Sequence, residues 1–293
     1  MSSTRSPAVV PISVVVPAHD EATVIGRCLT TLLTGARPGE IELVVVCNGC
    51  TDDTAAVARA HAPGATVLEL PVASKPAAWN AGDHHATRFP RLYLDADVEL
   101  PIGAARALAR QLVEQHAPYA APVARFVLRQ RTPLVRAYLA VWRHVANARD
   151  EPSGGGVFAL SAAGRSRFRA FPDLIADDQF VVQLFHPSER LTVDDVYATV
   201  HPPMTLTALL RTRARVYRGN EQLARSGLAP YPAAGGAVHA LLARARTPRD
   251  VPGVAVYVAV NLLARALARM PYDDGWTRDD GSRVVATRAL SSA

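Results

Sequence analysis

The chain has 293 residues, of which 49% are hydrophobic and 20% charged, with a formal charge of +6. These are the proportions of a globular protein able to bury one large domain, or one domain with a C-terminal elaboration. The positive charge is almost all arginine, since Lys75 is the only lysine; this reads as compositional bias rather than the footprint of a nucleic-acid binder, and no nucleic-acid partner is expected. The excess still suits anionic small molecules or a phospholipid surface. Three cysteines (Cys28, Cys47 and Cys50) exclude a disulfide framework and fit a reducing cytoplasm. Met1 to Ala8 is short and polar, without the pattern of a signal peptide.

Ile12 to Pro17 predicts a buried strand, and His19-Asp20-Glu21 a helix start running to about Leu33, with acids at the positive end of the dipole. Ile41 to Val46 is a second strand, after which Thr51-Asp52-Asp53-Thr54 is expected to cap a helix. Thr66 to Leu70 and Arg91 to Leu94 read as strands, Lys75 to Thr87 and Ile102 to Gln115 as helices. Strands alternating with helices at this spacing predict a parallel, doubly wound α/β sheet. Beyond Pro118 the rhythm changes: strand Tyr119 to Leu128, helix Pro133 to Ala148, a loop Ser153-Gly154-Gly155-Gly156, and strand Val157 to Ser161. A helix that begins with Ile175-Ala176-Asp177-Asp178-Gln179 and runs through Leu184, a strand Leu191 to Val200 and a basic helix Thr205 to Leu223 follow. A Pro/Ala/Gly-rich break at Ala229 to Gly236 precedes an apolar stretch, Val251 to Met270, and a polar tail. That stretch is read either as a membrane-surface helix with arginine edges or as a core-packing helix.

The stretch Leu94-Asp95-Ala96-Asp97 carries the chemistry most directly. Two carboxylates one residue apart, at a strand end on the rim of a sheet, can reach a single hard cation that prefers oxygen ligands. Alone, the pattern is one that a chain of this length produces by chance. Asp177-Asp178 is a second acid pair, a candidate general base that equally well suits a helix N-terminus. Cys47-x-x-Cys50 has no second Cys/His cluster at zinc spacing, and both are read as small fillers around a turn.

From Val14 to Pro101 the residues resemble the inverting family 2 glycosyltransferases. Pro17-Ala18-His19-Asp20-Glu21 is similar to that family's P-A-Y-N-E opening, and Val44 to Thr54 to its V-V-D-D-G-S-T-D-G-T turn. Lys75 to Gly82 resembles its K-G-x-A-x-A-x-N-x-G helix, and Asp95-Ala96-Asp97 falls where the family has its D-x-D. Gly154 to Leu160 resembles the acceptor-side glycine strand, Phe171 to Asp178 the segment ending in Glu-Asp, and Arg211 to Asn220 the basic Q-x-x-R-W region. The resemblance spans residues 11 to about 220, with these motifs in the family's order. Two departures stand out: Cys47-Asn48 replaces an acidic pair, and Thr212 and Val216 replace the Gln and Trp of the basic motif, which argues against a processive synthase.

The resemblance implies a GT-A nucleotide-diphospho-sugar transferase fold over residues 1–228, with a nucleotide half at about 11–101 and an acceptor half at about 118–225. Residues 229–293 would form a helical extension and polar tail. It implies a cytoplasmic, metal-dependent inverting transferase, in contact with the inner face of the membrane if 251–270 lies on lipid. A nucleotide-diphospho-sugar would be the donor and a glycan, lipid-linked or small molecule the acceptor. The divalent cation, Mn or Mg, would sit on Asp97 and Asp95, with His201 as a weaker third ligand. Pro17, Ala18, His19, Glu21, Asn48, Lys75, Asn80, Asp95, Ala96, Asp97 and Arg215 would bind the donor, and Gly155 and Gly156 the acceptor. Asp178, or Asp177 beside it, would be the base. A catalytically silent binding module of the same fold is the alternative from another class. A nucleotidyltransferase is disfavoured because no Gly-rich phosphate loop follows the first strand.

Overall fold

A computed structural model describes residues 10–148, 155–231, 241, 247 and 250–271. Gly154, most of the Ala229–Gly236 break, the first nine residues and the polar tail, all read above, lie outside the described residues. The chain forms two compact units. The first draws on Met1–Ala124, Gly154–Phe171 and Ser188–Thr199, the second on Arg125–Ser153, Pro172–Pro187 and Val200–Ala293.

Every residue of β1 (Ile12–Ala18) is buried, as a continuous apolar run requires when both sheet faces are covered. It pairs in parallel with β2 (Ile41–Asn48) and β4 (Arg91–Leu94), and β2 with β3 (Thr66–Leu70). The crossovers are α1 (Ile25–Leu33), α2 (Thr54–His61) and α3 (Lys75–His85), as right-handed parallel connections need. After α4 (Ile102–Glu114), β5 (Tyr119–Phe126) and α5 (Pro133–Ala148), β6 (Val157–Leu160) enters antiparallel to both β4 and β5. With β7 (Arg190–Val200) at the edge, the sheet order is β3-β2-β1-β4-β6-β5-β7. The parallel winding expected of the alternating first part holds for β1 to β4, and β6, beyond the change of rhythm, is the strand that reverses. The reversal matters for function: it puts the start of β6 beside the end of β4.

The helix expected to open at His19 begins instead at Ile25, with no acid in its first turn. Asp20 takes a left-handed conformation (φ 51°), which ends the helical path before it starts. Its carboxylate instead accepts the backbone N–H of Thr51 at 2.6 Å and of Asp52 at 3.2 Å.

The first unit also holds a buried charge cluster that carries no sequence motif. Asp83 on α3 accepts from Arg91 Nη1, from Tyr93 Oη at 2.6 Å and from Arg165 Nε at 2.6 Å; Arg165 ends α6 (Ala162–Arg165). Beside it, Trp79, Tyr93, Phe158 and Phe171 pack ring on ring, Tyr93 and Phe158 stacked at 4.7 Å and Trp79 and Phe171 at 5.9 Å.

In the second unit, α9 (Val251–Ala268) packs on α5 and on α8 (Leu206–Ser226) through Val260, Asn261 and Ala264. Asn261, a buried polar residue in that apolar run, accepts from Tyr217 Oη at 2.7 Å and Tyr138 Oη at 3.3 Å and donates to the Tyr257 carbonyl at 2.8 Å. Arg218 of α8 donates to the Leu267 and Ala268 carbonyls at the end of α9, the first of which also accepts the Met270 N–H at 3.2 Å. The helix is long and apolar enough to cross a membrane, with mean hydropathy 1.7, yet only 17% of it is buried. Val251, Val258, Leu262, Leu263 and, just beyond it, Met270 are exposed.

Burial pushes the Asp83 carboxyl up, but the bonds from Arg165, Tyr93 and Arg91 outweigh it and hold the group below its ordinary 3.8. Its stabilisation is complete above that value and is lost as pH falls through the lower folded-state one. Asp83→Asn, which leaves Arg91 buried beside no carboxylate, should cost about 3 kcal/mol at pH 7 in urea unfolding. The cost should shrink below pH 3.8.

Candidate active site

Because β1 to β4 run parallel, Ala18, Asn48, Leu70 and Leu94 all end at one edge of the sheet, where open α/β folds bind ligands. Beyond Leu94 the chain alternates. Ala96, Val98 and Leu100 are buried, while Asp95, Asp97 and Glu99 are half-exposed. The chain turns at Ala96 and Asp97, the Val98 N–H donating to the Asp95 carbonyl at 3.1 Å, and Glu99 is tied to Arg27 at 2.8 Å and backbone-paired with Thr199.

Asp95 is held from several directions. Leu94 pairs with Val157, so the residue before β6 meets the one after β4, and the Asp95 N–H donates to the Gly156 carbonyl at 2.9 Å. Gly156 has φ 90°, and a Cβ there would lie 2.6 Å from Asp95 Oδ2, so only glycine fits. Lys75, at the start of α3, places Nζ 2.9 Å from Asp95 Oδ1 and 5.5 Å from the Trp79 ring centre. Ser74 caps that helix through its hydroxyl, which accepts from the Ala77 N–H. Gly156, assigned from sequence to the acceptor side, therefore packs on the D-x-D.

The first two turns are stitched together. Asn48 is fully buried: its amide donates to the Ala18 carbonyl at 2.9 Å and accepts the Ser74 N–H at 2.9 Å. That amide is thus spent on backbone rather than presented as a base-edge reader, and it joins the ends of β1 and β2 to the cap of α3. His19 Nδ1 lies 2.7 Å from the Asn48 carbonyl oxygen, and the Glu21 N–H donates to Thr54 Oγ1 at 2.7 Å. Of the Thr51-Asp52-Asp53-Thr54 stretch expected to cap α2, Asp52 accepts from the Ala22 and Thr54 N–H groups, while Asp53 at the cap position makes no side-chain cap bond. Glu21 is 8% exposed. Cys50 Sγ lies 3.5 Å from both the Ala18 carbonyl oxygen and the Asp20 nitrogen. A hydrogen bond from Cys47 pulls the Cys50 thiol below its ordinary range, against the opposing effect of burial.

Asn80, one turn along α3 from Lys75, donates to the Phe171 carbonyl at 3.0 Å and accepts its N–H at 2.8 Å. Its amide fixes Phe171, the end of the first unit's Gly154–Phe171 segment, against α3. The remaining predicted residues, Asp177, Asp178, His201 and Arg215, belong to the second unit. Asp177 and Asp178 start α7 (Asp177–Gln183); Asp177 is 4% exposed, whereas Asp178 is exposed and accepts the Gln179 N–H at 2.7 Å. Behind them α8 comes close: a Cβ on Gly219 would meet the Ala176 nitrogen at 2.9 Å, and Gln222 accepts the Ile175 N–H at 2.9 Å. Arg215 stands exposed on α8, and His201 lies between β7 and that helix. Sequence reasoning missed Asp20 as the clamp of the second turn and Asp83 as the charge centre behind β4. Neither lies in a periodic pattern that would mark it.

A single parallel edge with a D-x-D held by a lysine and a glycine defines a nucleotide-dependent transferase fold. The family description Glycosyl transferase family 2 matches residues 13–169, over half the chain. The chain belongs to glycosyl transferase family 2 and is a glycosyltransferase of GT-A fold. Among solved structures it is similar to the mannosyltransferase PcManGT from Pyrobaculum calidifontis in complex with GDP-Man and Mn2+. That likeness has TM-score 0.61 and 21% identity, over 98% of this chain and 81% of that one. It is also similar to S. aureus TarS 1-349, at TM-score 0.54 and 15% identity over 87% and 80%. A third is glucosyl-3-phosphoglycerate synthase from Mycobacterium tuberculosis, at TM-score 0.52 and 20% identity over 73% and 79%. No curated protein matches the chain.

Asn48→Ala would leave the Ala18 carbonyl and Ser74 N–H without their side-chain partner. It should lower stability by about 2 kcal/mol in denaturant unfolding, although the site is a loop edge rather than the sheet core. A loss under ~0.5 kcal/mol would mean water replaces the amide at no cost.

Proposed function

We propose that the protein is a metal-dependent, inverting glycosyltransferase that moves a sugar from a nucleotide diphosphate donor to a glycan, lipid-linked or small-molecule acceptor. The observation that carries this reading is the Asp95-Ala96-Asp97 edge inside the family-matched segment, with Lys75 and Gly156 against Asp95. The donor set fits a hard divalent cation: half-exposed carboxylate oxygens, and no sulfur or imidazole from that stretch. Since Asp95 is engaged by Lys75, Asp97 is the carboxylate offered most directly to Mn or Mg, with Asp95 beside it. His201 stays the weaker third ligand of the proposal. When bound, the cation neutralises charge building on the departing diphosphate. Support comes from PcManGT, whose structure contains GDP-Man and Mn2+, and from TarS, also solved with UDP-GlcNAc.

The chain's own residues do the rest. Lys75 keeps the Asp95 carboxylate in one orientation and adds a compact positive charge at the phosphate end of the pocket. Pro17 to Glu21, with Asn80 and Ala96, shape the donor side, Arg215 supplies a further charge for diphosphate, and Gly155 and Gly156 leave room for the acceptor. Asp178 takes the proton of the attacking hydroxyl: it is exposed at a helix start, whereas Asp177 is buried. Direct displacement with that base inverts the anomeric centre. Residues 1–228 form the catalytic domain in this reading and 229–293 its helical extension. The reaction runs in the cytoplasm, and the exposed apolar residues of α9, with Arg265 and Arg269 at its end, rest on the inner face of the membrane.

A thermal-shift panel of UDP-, GDP- and dTDP-sugars with and without Mn tests the reading. At least one nucleotide sugar should raise Tm only with the metal; no metal-dependent rise with any would count against it. Asp97→Ala should abolish that rise. Asp178→Asn should keep it while turnover falls by roughly 10²–10⁴-fold, as loss of a general base does.

A further inference from the structure

The loops after β1 and β2, the first of which also shapes the donor side, bring three side chains of metal-ligating type together. One ligand atom each from His19, Asp20 and Cys50 lies within 4.8 Å of the other two. Three points so spaced share a position no farther than about 2.8 Å from each, roughly 0.5 Å beyond the bond length zinc takes to sulfur and about 0.7 Å beyond those it takes to nitrogen and oxygen. All three are half-buried, so a small side-chain rotation closes the gap without unfolding the turn.

The surroundings are those of a metal ligand set. His19 Nδ1 sits 2.7 Å from the Asn48 carbonyl oxygen, and because that oxygen only accepts, Nδ1 is the ring nitrogen that donates. Nε2 is the nitrogen facing Asp20, 4.0 Å from Oδ2. The Asp20 carboxylate is itself oriented by the Thr51 and Asp52 N–H groups on Oδ1 and by the Thr51 hydroxyl. Imidazole anchored through its far nitrogen and carboxylate anchored through backbone donors are the outer-shell supports that metal sites use. The left-handed backbone of Asp20 (φ 51°) is what turns its carboxylate toward the second turn.

We infer that His19, Asp20 and Cys50 form a second metal site, distinct from Asp95 and Asp97, that takes a soft divalent cation of the zinc type and staples the β1 turn to the β2 turn. A mixed sulfur, nitrogen and oxygen set selects zinc over the magnesium or manganese that carboxylates alone accept. Binding exchanges the thiol proton for the metal, released to solvent, with no change of oxidation state. Three protein ligands leave a fourth position for water.

The test uses the full chain, stripped with chelator and kept reduced with a phosphine. Cobalt(II) serves as the spectroscopic probe and zinc(II) as its competitor. The wild type and Asp97→Ala should each bind one equivalent of cobalt with a thiolate-to-metal charge-transfer band, and zinc in excess should erase that band. Cys50→Ser should lose the band, and His19→Gln should weaken cobalt binding at least tenfold, both with wild-type far-ultraviolet dichroism. Cys28→Ser should keep the band. The inference is overturned if the band is absent from the wild type, or if it survives in Cys50→Ser. It fails equally if Asp97→Ala abolishes it, which would place the cobalt at the carboxylate edge. Should Cys50→Ser not fold, His19→Gln alone decides: binding as tight as the wild type's sinks the site.

Discussion

Asp95 sits where two strands running in opposite directions meet end to start, and the catalytic edge is arranged around that junction. β6 returns antiparallel to β4, so the Gly156 carbonyl takes the Asp95 N–H while its missing Cβ leaves space for the carboxylate. Lys75 then fixes the carboxylate from the α3 side. Each hold depends on the others: a side chain at 156 would push Asp95 off Lys75, and a shift of β6 would remove the backbone bond. Asp97 follows two residues on, inside the turn that the Val98 N–H closes on the Asp95 carbonyl, so its position is inherited from the same junction.

The neighbouring turns are stabilised by a different device. Where many nucleotide-binding folds expose an acid after the second strand, this chain has a fully buried Asn48 whose amide ties β1 and β2 to the cap of α3. Asp20, in a left-handed conformation, clamps the next turn through backbone N–H groups. The rigidity this supplies is backbone rigidity, suited to keeping a pocket wall in place while a flexible ligand comes and goes. The same turns gather His19, Asp20 and Cys50, so wall and second metal site share one scaffold.

Much of the first unit is legible in the sequence because its strands are continuous apolar runs closed by polar residues. Ile12 to Ala18, Ile41 to Asn48 and Arg91 to Leu94 are all read correctly within a residue or two. The D-x-D gains its meaning from order along the chain, and the family match agrees with that order. What escapes is what depends on distant residues meeting. The direction of β6 is set by where the chain re-enters the sheet, which no local period encodes. Asp20 reads as a helix-start acid because positive φ leaves no compositional trace. Asp83 looks like a surface residue of α3 until Arg91, Tyr93 and Arg165 converge on it from separate elements. Cys50 fails every spacing rule for zinc because its partners come from the turn some thirty residues earlier.

The central claim is that this edge, through Asp97, holds a divalent cation together with a nucleoside diphosphate. Electron paramagnetic resonance of Mn2+ reads it directly, since free hexaaquo ion gives a sharp signal and bound ion a broadened one. On titration with the wild-type protein and GDP or UDP, the free-ion signal should fall to a one-to-one endpoint, while the same titration of Asp97→Ala should follow the protein-free nucleotide curve. Equal depletion of the free-ion signal by wild type and Asp97→Ala would contradict the assignment.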